Sequence, residues 1–505
     1  MKKRKIILYF PGLQETITFG FSKVIPYTLL YLERAIRHFD LDIILIDHQI
    51  NNNFEQIIEP IKDDLFFVGI STMTGYQLKG AIEFSKYIRS ISDVEICWGG
   101  WHPSILPEQV LKEDYVDYVI TGQGETPLRE FIENKLNNMA VNDISGLGYK
   151  HNGKIIINSR DKYKDPTCLG GDIDFSLIDI NSYASKRLAD GKKSLTYLCS
   201  HGCPYRCGFC SQAVIYNRRW YGVGIEKIVD DLRYFKTAGV DVVYFGDANF
   251  FTNRAFVLEI CSRIINEKLD IEWSAQAHVN TFLRQYSDAD IKKIKESGCT
   301  LIAIGAESGD QQVLDVIAKQ STVEDNLKIV KVLAEHDIIP HFYTIVCFPM
   351  NPERDFDLTI NMIGKAQFIN PKLRSSINFY TPYPGTDLYD IACKNGFKHL
   401  ETTEEWSNHL ITQANIPWQK IEYQSKVSDI MAFYLPMANP EFANIVPPKF
   451  KLLAKILLAL FHKKACKRFR DNNFDKRFEA LIFLKTLSLF NRIFRTQFYI
   501  GRPSR

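Results

Sequence analysis

The chain has 505 residues, 46% of them hydrophobic and 24% charged, with 62 Lys and Arg against 59 Asp and Glu for a formal charge of +3. That composition excludes a disordered chain, allows about three domains, and gives no ground for a nucleic-acid partner. Its 11 cysteines are too sparse for a secreted disulfide scaffold, and no apolar run approaches the ~20 residues of a membrane span.

The opening MKKRKIILYFPG begins like a secretory leader, but Pro11 and Gly12 end its apolar run after five residues. A first buried strand is expected there, in a cytoplasmic chain with reduced thiols. Residues 1–150 then alternate strand-like runs, KIILYF, DIILID, DLFFVGIST, EICWGG and DYVITG, with stretches of helical spacing, YTLLYLERAIRHF and KGAIEFSKYIRSI. This alternation predicts a doubly wound, Rossmann-like α/β domain with a parallel sheet. Small residues follow its later strands: Ser71, Thr72 and Gly75, then Gly99 and Gly100, then Gly122 and Gly124. Glycine lets backbone approach a ligand closely, and open sheets bind ligands at the carboxyl ends of their strands. As simple tight turns these loops would need no ligand.

Residues 151–193, rich in Asp, Gly, Lys and Asn, are expected to form a surface connector. Over 194–400 six strand-helix units follow, with strands SLTYLC, DVVYFGD, IEWSAQAH, TLIAIGAES, HFYTIVCF and SSINFYT. Six units predict an incomplete TIM-type barrel, (β/α)6, that holds ligands at the carboxyl ends of its strands.

After the first of these strands stands CPYRCGFC, with Cys203, Cys207 and Cys210. A cluster used only for electron transfer takes four cysteines, whereas three thiolates hold a 4Fe-4S cluster with one iron left open for chemistry. A zinc site would want a fourth ligand, for which Cys199 and His201 are the nearest; Cys199, ending an apolar strand, reads as core. The CxxxCxxC spacing resembles the radical S-adenosylmethionine (SAM) enzymes. The resemblance implies that Cys203, Cys207 and Cys210 ligate the cluster and that SAM chelates the open iron. One electron then breaks a carbon-sulfur bond of SAM to give a 5′-deoxyadenosyl radical. Phe209 matches the family's aromatic, implied to pack near the adenine.

The order GGWH, then DYVITGQGETPLREF, resembles the amino-terminal domain of cobalamin-binding radical SAM proteins, through Gly99, Gly100, His102, Gly122, Gly124 and Glu125. With Ser71 and Thr72, these residues are the implied cobalamin contacts. Carriers that ligate cobalt with histidine use Asp-x-His-x-x-Gly, and the nearest stretch, Asp47-His48-Gln49, has the wrong spacing. A cobalamin without histidine on its lower face is therefore expected, with His48 and His102 read as polar loop residues. A degenerate domain that binds nothing is the alternative. Methylthiotransferases would need three further cluster cysteines in this domain, where Cys97 stands alone.

Along the barrel, Asp247 in GDANF resembles the family segment that meets the methionyl amino group of SAM; the competing reading is a helix cap. Gln276 and His278 end the third strand, facing SAM, the substrate or a polar core. IGAESG, with Gly305, Glu307 and Ser308, resembles the GxES element, whose carboxylate and hydroxyl are implied to position SAM. A Glu ending an apolar strand needs a partner in any case. Lys319 lies on the continuation of that segment. The stretch VCFPMNPE matches the family loosely, because of Cys347 and Phe348, while Tyr383, Pro384, Gly385 and Thr386 match its proline-glycine-threonine turn well.

Residues 401–505 are expected to be mostly helical and basic. Within 448–470, Leu453, Ile456, Leu457 and Leu460 share one helical face, lysines and arginines occupy the others, and no acidic residue occurs. Packing on the barrel is the commonest outcome for such a helix; binding a carrier protein or lying on an anionic membrane surface are the alternatives. These readings predict a radical SAM enzyme that attacks an unactivated carbon, with cobalamin-dependent methylation as the leading outcome. A radical SAM cyclase or oxidative rearrangement enzyme is the enzymatic alternative, and a non-enzymatic zinc or partner-binding scaffold the other. The implied partners are a small-molecule or lipid-like substrate and a reductant such as flavodoxin or ferredoxin, with no nucleic acid and with peripheral membrane contact through 448–470.

Overall fold

The computed structural model describes residues 3–12, 23–169, 171–187, 190–409 and 416–485. Its first sheet contains β1 (Lys5–Phe10), β2 (Asp42–Asp47), β3 (Leu65–Thr72), β4 (Ile96–Gly100), β5 (Tyr118–Ile120), β6 (Leu147–His151) and β7 (Lys154–Ile157), in the order β2-β1-β3-β4-β5-β6-β7. The first five strands run parallel. They read as continuous apolar runs because both faces are covered: Ile7, Tyr9, Val68 and Trp98 enter one core cluster, and Ile6, Leu8, Phe67 and Cys97 the other.

The sheet does not stop near residue 150. Asn152 and Gly153 both have positive φ, at 49° and 73°, and turn the chain so that β7 pairs antiparallel with β6. Asn-Gly is the residue pair that such a two-residue turn requires. The stretch expected as a surface connector therefore begins as a strand. It also ends as one, since β8 (Ser185–Lys186) pairs antiparallel with β9 (Lys193–Tyr197). Between them Phe175, Ile180 and Tyr183 are buried in the core of the second sheet, which pins the connector down.

A small antiparallel pair, β10 (Ser200–Gly202) and β11 (Trp220–Gly222), precedes β12 (Val242–Phe245), β13 (Glu272–Ala277), β14 (Cys299–Glu307), β15 (Ile339–Val346) and β16 (Arg374–Phe379). The second large sheet has the order β16-β15-β14-β13-β12-β9-β8, with β9 and β12 to β16 all parallel. It is a curled, open half-barrel flanked by helices. Buried and half-buried positions alternate along β13 and β15. Trp273 and Ala275 join the core with Val257 and Ile260 of the helix Arg254–Asn266, while Ser274 and Gln276 face the open side.

The two sheets share a core. Val313, Leu314, Tyr380, Leu388 and Trp406 pack into the same cluster as Ile70, Leu78 and Trp98. Farther on, the helix Lys451–Arg470 packs against the barrel helix Pro352–Ile369. Of the expected apolar face only Leu457 packs inward, partly buried. Ala454, Ala465 and Phe469 are buried, whereas Leu453, Ile456 and Leu460 are 50%, 49% and 67% exposed. A Cβ on Gly364 would lie 3.0 Å from the Phe469 carbonyl oxygen, so this glycine lets the two helix backbones approach closely there. Among the described residues no helix is long and apolar enough to cross a membrane.

Candidate active site at the junction of the two sheets

The three cysteines lie in the loop that β10 and β11 close. Gly202 ends β10 with φ of 79°, and a Cβ there would stand 2.1 Å from the Arg219 carbonyl oxygen, so only glycine lets the hairpin close. The loop is braced from both sides: Gly208 N–H donates to the Ile317 carbonyl at 2.9 Å, and Leu388 N–H donates to the Gly208 carbonyl at 2.9 Å. The Tyr205 ring stacks on His278 with centroids 3.5 Å apart, and His278 Nε2 lies 2.9 Å from the Lys319 carbonyl oxygen.

Cys203, Cys207 and Cys210 are half-buried free thiols. Burial pushes all three up, Cys210 to about 12, while the Lys319 ammonium draws each one down. Among the described residues no three His, Cys, Asp or Glu side chains converge tightly enough to chelate one ion. Thiols spaced along a loop suit a cluster, in which each cysteine takes a different iron, and a nearby cation favours the thiolate form the ligands need. The zinc alternative loses its extra ligands. Cys199 Sγ lies 3.6 Å from the Asp247 carboxylate, and His201 Nε2 lies 2.9 Å from the Tyr31 hydroxyl.

Glu307 ends β14 in the left-handed region at φ of 57°, and its carboxylate meets the Lys319 ammonium at 2.8 Å. Both side chains are buried. A Cβ on Gly305 would fall 2.5 Å from Glu307 Oε1 and 2.8 Å from Lys319 Nζ, so this glycine makes room for the pair. Phe209 packs with Phe348, at the end of β15, with centroids 6.2 Å apart.

Two expected SAM contacts have other partners here. The Ser308 hydroxyl, fully buried, donates to Asp355 Oδ1 at 2.5 Å, and Asp355 in turn accepts from Phe348 N–H at 3.1 Å. Burial lifts the Asp355 carboxyl to about 6, and the serine hydroxyl lowers it. A buried carboxyl needs a donor, which is the reason Ser308 turns away from the open face. Asp247 is 1% exposed, accepts from the Ser200 hydroxyl at 2.5 Å and from Cys199 N–H at 3.2 Å, and is pushed by burial to about 6. It ties β12 to the strand that carries the cysteine hairpin, and it caps no helix.

Sequence reasoning named Gln276 but missed Tyr244, His341, Tyr343 and Ser376 in the polar lining of the half-barrel. Gln276 Nε2 donates to the Tyr244 hydroxyl at 2.6 Å, and His341 Nε2 lies 2.9 Å from the Ser376 hydroxyl. The His341 and Tyr343 rings are 4.7 Å apart. Burial, with the nearby Arg374, pushes His341 down to about 3 and leaves it neutral. The strand alternation in which these residues sit was the available signal.

The expected cobalamin residues enclose a cavity of about 180 Å³ at the carboxyl ends of the first sheet. Ser71, Gly99, Gly100, Gly122, Gly124 and Glu125 line it, and Leu8, Phe67, Cys97 and Leu128 carry it down into the core. A Cβ on Gly99 would meet only the Ile120 carbonyl oxygen, at 3.8 Å, so the glycine leaves space open. Thr72 stands behind, its hydroxyl donating to the Gly99 carbonyl at 3.3 Å. Glu125 is buried 3.7 Å from Arg34, and burial raises its carboxyl. His48 is engaged with the Tyr9 hydroxyl at 3.0 Å and His102 with the Thr74 hydroxyl at 3.1 Å; neither lines the cavity. An apolar slot with a glycine mouth fits a large cofactor with an apolar arm, as cobalamin is. The far wall of the cavity is Leu198, His201, Ile215 and Tyr216, the residues that flank the cysteine hairpin.

Residues 21–132 match the B12 binding domain, and residues 197–363 match the Radical SAM superfamily. An uncharacterized methyltransferase of Pyrococcus horikoshii is 28% identical over 81% of this chain and 87% of its own length. An anaerobic magnesium-protoporphyrin IX monomethyl ester cyclase of Synechocystis is 24% identical over 68% of this chain and 67% of its own. Among solved structures, the cobalamin-dependent S-adenosylmethionine radical enzyme OxsB, with aqua-cobalamin and S-adenosylmethionine bound, superposes with a TM-score of 0.69 at 16% identity, over 100% of this chain and 77% of its own. With both domains in this order along one folded unit, the chain belongs to the radical SAM superfamily, in the branch that carries a B12-binding domain.

Proposed function

We propose that the protein is a cobalamin-dependent radical SAM methyltransferase acting on an unactivated carbon of a small-molecule substrate. The observation that carries this reading is the shared cavity wall: the slot under the Rossmann loops ends on the residues flanking the cysteine hairpin. Two cofactors held there stand within one site. When bound, the cluster, SAM and cobalamin supply an electron, a 5′-deoxyadenosyl radical and a transferable methyl group.

The chain's own residues hold and shield. Cys203, Cys207 and Cys210 ligate the cluster, Lys319 favours their thiolates, and Glu307 keeps that lysine in place. The half-barrel excludes water from the reacting atoms. Tyr244, Gln276, Tyr343 and His341 offer the substrate a hydrogen-bonding face, with His341 neutral at physiological pH. A flavodoxin or ferredoxin supplies the electron. The free thiols suit a reducing, cytoplasmic setting, and the exposed leucine face of the helix Lys451–Arg470 is assigned to peripheral contact with a membrane surface.

Anaerobic reconstitution with iron, sulfide, cobalamin and reductant, followed by mass-spectrometric quantitation of SAM products, tests the reading. Accumulation of 5′-deoxyadenosine together with S-adenosylhomocysteine is the expected result. Deoxyadenosine alone favours the ring-forming chemistry named for the Synechocystis relative, and neither product at full iron content refutes a radical role for the cluster.

A further inference from the structure

We propose that the groove between the helices Pro352–Ile369 and Lys451–Arg470 binds the phosphate headgroup of an anionic membrane lipid. The inference rests on the membrane contact assigned above and adds a defined headgroup site to it.

The groove has a volume of about 600 Å³ and is lined by Gln367, Phe368, His462, Lys463, Lys467 and Arg470, among others. Gln367 is 6% exposed, yet neither its amide nitrogen nor its amide oxygen has a hydrogen-bond partner. A buried amide left unpaired is costly, and Gln367 is one of the residues that line the groove. No ion pair joins Lys463, Lys467 or Arg470 to a described residue, and the Arg470 guanidinium instead covers the Phe368 ring at 5.5 Å. Asp471 also lines the groove, so three cations face one carboxylate. Glu479, on the segment after the helix, is occupied by Lys464 and Arg468. An anion with several acceptor oxygens would satisfy the surplus charge and accept from the amide N–H groups.

The same helix supplies the apolar half of the site. Leu452, Leu453, Ile456 and Leu460 are 72%, 50%, 49% and 67% exposed. At ~100° per residue they lie in one stripe with Lys463, Lys467 and Arg470. The stripe is apolar in its first half and cationic in its second. A bilayer offers that pairing: hydrocarbon beside a plane of phosphate. A second copy of this chain would cover the leucines but bring no anion to the three cations. The groove lies on the outer side of a barrel helix, away from the half-barrel lining that faces the substrate.

The test is co-sedimentation of the full-length, reconstituted protein with vesicles of phosphatidylcholine alone or with added phosphatidylglycerol. Binding to the anionic vesicles is expected to be about tenfold or more tighter. Lys463→Glu with Lys467→Glu should abolish that preference, Gln367→Leu should reduce it several-fold, and Ile456→Asp with Leu460→Asp should remove binding to both vesicles. Circular dichroism and deoxyadenosine formation are expected to stay unchanged in all of them, because these residues touch neither cofactor. Equal binding to both vesicles, or a preference that survives the lysine changes, leaves the membrane contact standing and overturns the headgroup site. Failure of the wild type to sediment with either overturns both. A dimer without lipid that Ile456→Asp dissociates would make the stripe a self-interface and also overturn the proposal.

Discussion

Lys319 and Glu307 form a buried ion pair at 2.8 Å, beside the loop that holds Cys203, Cys207 and Cys210. Taking one partner away leaves a charge in a poorly solvated place, at a typical cost of about 3–5 kcal/mol, while removing both is far less costly. Lys319→Met is therefore expected to lower unfolding free energy by that order in urea titrations, and the Lys319→Met, Glu307→Gln double variant to recover most of it. Full additivity of the two single losses would contradict the pairing. Asp247 carries a pH dependence. Burial raises its carboxyl from 3.8 to about 6 in the folded chain, so its contribution to stability is present below about pH 4 and is lost as pH rises to about 6. Against wild type, Asp247→Asn should thus gain on the order of 2–3 kcal/mol between pH 4 and pH 7. A constant difference across that window would mean that the carboxyl is not held protonated. Ser308 teaches a related lesson. Its motif identifies it, but its hydroxyl serves Asp355, an acid 47 residues away that no local pattern pairs with it.

At the scale of elements, the cysteine hairpin is set by backbone geometry. Gly202→Ala places a methyl group against the Arg219 carbonyl and forces an unfavourable φ, a strain of about 1–3 kcal/mol. The expected outcome is a large loss of iron and sulfide incorporation with cobalamin retention preserved, read by metal analysis and visible absorbance. Gly99→Leu makes the converse case. Its Cβ has room, so the fold should tolerate it within about 1 kcal/mol, but the longer side chain enters the slot and should abolish cobalamin retention. Iron content should not change. Retained cobalamin in that variant would move the binding site elsewhere. The β6–β7 hairpin shows how a local signal is overlooked: Asn152-Gly153 is a strong turn, but it stands in a polar segment whose strand KIII is only four residues long.

The whole molecule is one continuous packing problem. Residues from the end of the half-barrel fill the same core as one face of the first sheet. That shared core fixes the cavity of the first sheet against the cysteine hairpin, the arrangement that the proposed two-cofactor site needs. Replacing Cys203, Cys207 or Cys210 by Ala is expected to abolish deoxyadenosine formation, measured by mass spectrometry, with cobalamin still bound. Normal SAM cleavage in all three variants would remove the central claim.

The sequence by itself determined the two α/β units and placed the cysteine triad and the glycine loops at strand ends, because strand and helix periodicity, glycine at turns and cysteine spacing are properties of near neighbours along the chain. Only the tertiary structure decided which side of the helix Lys451–Arg470 is buried. Hydropathy favours the leucines, but Ala454, Ala465 and Phe469 form the packed side, with the Phe469 backbone against Gly364. It also decided that Ser308 and Asp247 serve buried neighbours and that Tyr244 and His341 line the open face. These outcomes depend on which distant groups share the same low-dielectric space. A buried polar atom must find its partner wherever the fold has brought one.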